Sequence, residues 1–208
     1  MFIQEIVNAT VQLLVVLLIC LAVWLVFGRK KSGFRRYFGL FTPTRRSVWV
    51  AFGLFLLFTL MSCALAFLPG MKDGAAAENT VAGVLKAAGP SADTVGALLV
   101  IALVKTALTE EILFRGLIAK RLIHAMGFWA GNTLHAVIFG AIHLLIFVIP
   151  GGPEFTWLVG TAFLLLPGAG GWMMAYANER VGNGSIVPGW IIHGFGNAVA
   201  YALLAFMA

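Results

Sequence analysis

Charged side chains are scarce in this chain, and most of the few present are basic. Only 11% of the 208 residues are Asp, Glu, Lys or Arg, and 14 Lys and Arg stand against eight Asp and Glu. Hydrophobic residues make up 61% of the chain, which is rare in soluble domains and typical of membrane proteins. The composition therefore predicts an integral membrane protein surrounded by the lipid bilayer.

Cysteine is also scarce. Cys20 and Cys63 both lie inside apolar stretches, which argues against a disulfide framework and against a thiolate metal site. The N-terminus lacks the basic segment of a secretory signal, and no small-residue cleavage site follows its first apolar stretch. No repeat and no long linker divides the chain, so residues 1–208 are predicted to form a single integral membrane domain.

Apolar stretches long enough to cross a bilayer occur six times. A hydrocarbon core of about 30 Å needs roughly 20 apolar residues in a helix, and a helix satisfies its own backbone hydrogen bonds there. The predicted fold is an all-α polytopic bundle with about six transmembrane helices. The predicted spans are residues 9–27, 48–68, 95–123, 131–149, 156–177 and 188–207.

A basic loop follows the first span. Seven of the 14 cations lie within residues 29–46, which places this loop in the cytoplasm and the N-terminus outside by the positive-inside rule. The expected location is the plasma or inner cell membrane, crossed several times. Because the cations cluster beside a span, they fit an anionic membrane surface, and no nucleic-acid partner is predicted.

Ionisable side chains inside the predicted spans are few. Each costs at least about 2.5–3.5 kcal/mol to insert and therefore needs a partner or a cavity. In the stretch TEEILFRG, Glu111 and Arg115 are four residues apart, which predicts an ion pair on one helix face. Glu110 is rotated by about 100° from Glu111, so its carboxylate is predicted to be free of this cation.

Histidines occur in two of the later spans. His143 lies one turn after Phe139 in the fourth span, and His193 lies one turn before Asn197 in the sixth. Taken singly, each fits helix packing or an interhelical hydrogen bond, and His135 is given that structural interpretation.

Glu110 and the two histidines become chemically informative when they are considered together. Glu110, His143 and His193 are all predicted to lie toward one half of the same bundle. A carboxylate and an imidazole can activate water, and an imidazole with a carboxamide can hold an oxyanion. This combination predicts peptide-bond hydrolysis without a covalent intermediate.

The three motifs, EExxxR, FxxxH and HxxxN, resemble in order those of the CPBP family of intramembrane proteases, also called CAAX prenyl protease type II or Abi proteins. The resemblance covers a protease-like core of about residues 95–208, preceded by the two N-terminal spans at about 9–27 and 48–68. It implies an endopeptidase that cuts a membrane-anchored protein or peptide near the cytoplasmic half of the bilayer.

The same resemblance implies roles for individual residues. Glu110 and His143 would activate the water, and His193 and Asn197 would form the oxyanion hole. The supporting residues would be Glu111, Arg115 and Phe139.

Alternative chemistries stay open. The family has been described both as metal-dependent and as glutamate-type, and Glu110, His143 and His193 would suit zinc. The absence of an H-E-x-x-H motif and the Asn of the last motif favour a mechanism without a metal cofactor. A proton-coupled membrane transporter, or a non-catalytic immunity or scaffold protein, would use the same polar groove.

Overall fold

The structure, a computed structural model, describes residues 1–207, which contain helices and no β-strand. The α-helices are α1 (Phe2–Val23), α2 (Phe34–Phe38), α3 (Arg45–Leu65), α4 (Met71–Ala75), α5 (Val81–Ala88), α6 (Ala92–Val100), α7 (Lys120–Met126), α8 (Phe128–His143), α9 (Trp157–Tyr176) and α10 (Val187–Phe206). π-Helical segments occur at Trp24–Gly28, Ile101–Leu108, Glu111–Ala119 and Ala177–Val181, and a 3₁₀ turn at Leu144–Val148. The predicted all-α polytopic bundle is confirmed.

Five helices in the described part of the chain are long and apolar enough to cross a membrane. They are Phe2–Gly28, Arg45–Ala64, Phe128–Val148, Trp157–Val181 and Val187–Phe206. The remaining predicted span, residues 95–123, lies within one uninterrupted helical run at residues 92–126. This run is built from α6, two π-helical segments and α7, each shorter than ten residues. The protein is therefore a multi-pass membrane protein.

The 92–126 run traverses the same depth as α1. The N-terminal amino group of Met1 lies 3.1 Å from Asp93 Oδ2, at the start of the run. Near the other end, Arg121 Nη2 donates to the carbonyl of Tyr37, which follows α1 in the chain, at 2.7 Å. Contacts at both ends mean that the run crosses the bundle although its central part carries charge.

The connecting loops gather at two opposite ends of the bundle. At one end, the amide of Ile186 donates to the carbonyl of Gly39 (3.0 Å), so the α9–α10 connection rests on the basic loop. At the other, the amide of Asn79 donates to the carbonyl of Gly151 (2.9 Å). Successive connections along the chain thus lie at opposite ends of the bundle, as expected when each predicted span crosses in the direction opposite to the one before it.

The π-helical segment Ile101–Leu108 attaches the run to its neighbours. Trp190 Nε1 donates to the carbonyl of Leu103 at 2.7 Å, and Gln12 Nε2 donates to the carbonyl of Lys105 at 2.9 Å. Lys105 also forms an ion pair with Glu5 of α1, Nζ to Oε2 at 2.7 Å. Lys105 is therefore the counter-ion of Glu5 and not of a carboxylate at the centre of the bundle.

Candidate active site

The ion pair predicted within TEEILFRG is present and almost completely buried. Arg115 Nη1 lies 3.0 Å from Glu111 Oε1, and the two side chains are 1% and 0% exposed. The two atoms are close enough for an ion pair, although they are not aligned for a hydrogen bond. The pair sits in the π-helical segment Glu111–Ala119, a type of helix distortion that is frequent at functional sites.

Asn178, a residue that the sequence interpretation missed, holds the second oxygen of Glu111. Its Nδ2 lies 3.3 Å from Glu111 Oε2, and its Oδ1 accepts a hydrogen bond from the amide of Gly189 at 2.7 Å. The side chain of Asn178 is fully buried. The residue falls one position beyond the predicted fifth span and precedes Glu179 and Arg180, so it looked like the start of a polar loop.

His193 lies between the two glutamates. Its Nδ1 is 3.3 Å from Glu111 Oε1, and its Nε2 is 3.8 Å from Glu110 Oε2. The sequence interpretation directed Glu110 toward His143 and did not predict its proximity to His193. Gly189, one turn before His193, allows that proximity: a Cβ built there would lie 2.3 Å from Glu111 Oε2, so only glycine lets α10 approach this closely.

The Glu110 carboxylate is the unpartnered acid of the site. Its side chain is 26% exposed overall, but its Oε2 atom is buried and has no hydrogen-bond partner among the described residues. The carboxylate stands at the junction of the two central π-helical segments. A buried carboxylate oxygen without a donor is costly to keep and is free to accept a proton.

His143 is held in one tautomer by its own helix. Its Nδ1 lies 2.7 Å from the carbonyl oxygen of Phe139. A carbonyl oxygen only accepts hydrogen bonds, so the proton is on Nδ1 and the lone pair is on Nε2. His143 is therefore set up to accept a hydrogen bond through Nε2.

Phe139 forms the centre around which the site residues are arranged. Its ring, 2% exposed, makes edge contacts with the rings of His143 (centroids 4.8 Å apart) and His193 (6.2 Å). The Arg115 guanidinium lies 4.0 Å from the same ring, a cation–π contact. Phe139 therefore positions both histidines and the buried cation.

A cavity of about 300 Å³ opens beside these groups and is predominantly apolar. His143, His193 and Asn197 all line it. The opposite wall comes from α3, through Phe58, Thr59, Ser62 and Cys63. The second predicted span, which carries none of the three motifs, therefore supplies part of the cavity wall.

The alternative zinc ligands do not assemble into a metal-binding group. Among residues 1–207, no three His, Cys, Asp or Glu side chains are arranged to hold a metal ion. Nδ1 of His143 is engaged by its own helix and Nδ1 of His193 faces Glu111, which leaves the Nε2 atoms of the two rings facing the site.

The region that contains these residues matches a known protein family. The family model described as type II CAAX prenyl endopeptidase Rce1-like covers residues 92–199. The chain belongs to this family. Comparisons with the curated proteins and with the solved structures found no match.

The matched region of this type II CAAX endopeptidase begins at α6 and ends within α10, and it contains all three motifs. The resemblance carried by those motifs is thereby confirmed. In general terms, the protein is a CAAX-type intramembrane endopeptidase. Helices α1 to α5 lie outside the match, although α3 lines the cavity beside the candidate site.

Gly189→Ala tests whether the close approach of α10 positions the site. We expect cleavage activity to fall strongly, because the added methyl group would overlap Glu111 Oε2 and crowd Asn178, although Ala favours a helix more than Gly does by about 1 kcal/mol. The measurement is cleavage rate together with thermal unfolding in detergent. Gly53→Ala is the control, since a Cβ at Gly53 meets no atom within 4 Å. Equal activity of the two variants would contradict the positioning role.

Proposed function

We propose that the protein hydrolyses a peptide bond of a membrane-anchored protein or peptide by a glutamate-type mechanism that uses no metal. The observation that carries the proposal is the buried, unpartnered Oε2 of Glu110, 3.8 Å from His193 Nε2. His193 itself opens onto the apolar cavity. A free carboxylate next to a substrate-sized cavity is what a general base requires.

In the proposed reaction, Glu110 removes a proton from water while His143 Nε2 accepts a second hydrogen bond from it. The water oxygen attacks the carbonyl carbon of the scissile peptide bond, and the carbonyl oxygen becomes an oxyanion. The proton held by Glu110 then passes to the leaving nitrogen as the carbon–nitrogen bond breaks. The products are a new carboxylic acid, which then ionises, and a new amine.

The oxyanion is held by His193 Nε2 and the Asn197 carboxamide, which are one helical turn apart and line the same cavity. Nδ1 of His193 lies 3.3 Å from Glu111 Oε1, a contact that orients the ring, and Arg115 offsets the charge of Glu111. The buried ion pair thus supports the oxyanion hole.

The family supports a prenylated, membrane-anchored substrate, and an apolar cavity suits a lipid-modified chain. The charge pattern of the loops supports a cut toward the cytoplasmic half of the cell membrane, with the N-terminus outside. The chemistry is tested with purified protein, a prenylated CAAX-type peptide and its unprenylated twin, each with and without a chelator. A new peptide product identified by mass spectrometry is expected, unchanged by the chelator. Chelator inhibition reversed by zinc would replace the metal-free mechanism.

His143→Ala is expected to lower kcat by about 10²- to 10⁴-fold, the usual contribution of a positioned acid–base group. The loss follows from removing the Nε2 acceptor that orients water. His124→Ala is the matched control, because His124 is an exposed histidine of α7. A transporter or a scaffold protein would give no peptide product with the wild type and would leave both variants equivalent.

A further inference from the structure

A group of buried polar atoms without partners lies near the site but outside the proposed mechanism. Asn132 and His135 are fully buried, and Arg115 is 1% exposed. Neither ring nitrogen of His135 has a hydrogen-bond partner among the described residues, and the same holds for Asn132 Oδ1 and Arg115 Nε.

These side chains converge on the inner face of α8. Asn132, His135, Phe139 and His143 follow each other at spacings of three and four residues, so they form one column about 16 Å long on the buried side. His135 packs nearly parallel to Phe139, with centroids 6.2 Å apart and an angle of 22°. The guanidinium of Arg115 lies over the same Phe139 ring, at 4.0 Å.

Buried polar atoms in this state need a partner. Leaving one unsatisfied costs about 1–3 kcal/mol, and most buried polar atoms in native proteins are hydrogen-bonded. Asn132 already uses its Nδ2 to donate to the carbonyl of Trp172 at 3.0 Å, which leaves Oδ1 to accept from another group. Internal water, which donates and accepts and makes about three hydrogen bonds, satisfies such a mixed set of donors and acceptors.

Phe139 contacts both this polar group and residues that line the apolar cavity. Its ring contacts His143 and His193, which line the cavity, and also His135 and Arg115, which do not line it. The cavity wall is predominantly apolar, so it suits a hydrophobic substrate and holds water poorly. A polar site outside this cavity is therefore a better source for the water that hydrolysis consumes.

We propose that Asn132, His135 and Arg115 bind a cluster of internal water behind Phe139, and that this cluster supplies the water activated at Glu110. The supply role rests on the peptide hydrolysis proposed above, whereas the water binding does not. His135 is accordingly a positioning residue for water and has no contact with the substrate.

Radiolytic hydroxyl-radical labelling tests the water binding without any substrate. Phe139 and Phe38 are equally suited reporters, since they are 2% and 0% exposed, but Phe38 belongs to an apolar cluster against α1. We expect oxidation of Phe139, next to the water, to exceed that of Phe38 in the detergent-solubilised wild type. Equal protection of both rings would overturn the proposal.

Two His135 variants test both parts of the proposal. His135→Leu removes both ring nitrogens and His135→Gln keeps hydrogen-bonding capacity. If the site is hydrated, Leu lowers the unfolding temperature and reduces Phe139 labelling, and Gln restores both. If the site is dry, the His135→Leu variant should be at least as stable as the wild type. That result would contradict the water cluster.

For the supply role, we expect kcat of His135→Leu to fall roughly 10- to 100-fold with KM unchanged, since a misplaced reactant has an effect of this size. His135→Gln should recover most of the rate. Phe139 labelling in the wild type combined with an unchanged kcat in His135→Leu would overturn the supply role. Failure of the hydrolysis proposal is recognised separately, by cleavage that survives Glu110→Gln.

Discussion

Replacing Glu110 with Gln is expected to lower kcat for a membrane-anchored peptide by about 10²- to 10⁴-fold. Gln keeps the shape of the side chain and removes the proton acceptor. The unfolding temperature is expected to stay at or above that of the wild type, because Glu110 Oε2 has no hydrogen bond to lose and a neutral amide is less costly to bury than a carboxylate.

The combination of lost rate and retained stability separates chemistry from folding. Cleavage is measured by mass spectrometry of the products, and unfolding by thermal denaturation in detergent. Glu78→Gln serves as the control, since Glu78 is exposed in the connection between α4 and α5 and should change neither quantity. Wild-type cleavage by Glu110→Gln would exclude this carboxylate as the base.

Arg115→Met is expected to destabilise the protein by about 3–5 kcal/mol, the usual cost of removing one partner from a buried ion pair. Met matches the length of the side chain but leaves the Glu111 carboxylate buried without its cation. Arg115 is 1% exposed and Glu111 fully buried, so bulk solvent cannot screen the charge that remains. The measurement is the free energy of unfolding in detergent, obtained from a denaturant titration.

A second substitution identifies the cause of this loss. The double variant Glu111→Gln/Arg115→Met should lose less unfolding free energy than the two single variants lose in total. It removes both charges, so neither is left buried without its partner. Lys105→Met is the comparison for a more accessible pair, with side chains 32% and 14% exposed, and should cost about 0–1 kcal/mol. Equal losses of stability in Arg115→Met and Lys105→Met would show that burial does not determine how much the Glu111–Arg115 ion pair contributes.

Features that depend on neighbours along one helix could be predicted from the sequence. The Glu111–Arg115 pair, the separation of Glu110 from that pair and the shared face of Phe139 and His143 all follow from the helical period, which relates residues four apart. The number of apolar stretches likewise follows from composition. The family could be recognised because its motifs are short patterns of this local kind.

Features that depend on how helices approach each other could not be predicted. His193 was matched with Asn197 on its own helix, yet its ring lies between Glu111 and Glu110 of another helix. Gly189 decides this, because its missing side chain allows α10 to approach Glu111. The sequence offers 24 glycines, and nothing local distinguishes Gly189 from the others.

By itself, the sequence determined the membrane class of the protein, its helical segments, its family and the spacing of the three motifs, because these depend on composition and on short patterns. Only the tertiary structure decided that Asn178 supports Glu111, that α3 closes the cavity, and that His135 belongs to a buried polar column behind Phe139. Each of these is a contact between residues far apart in the chain, and such contacts are set by helix packing.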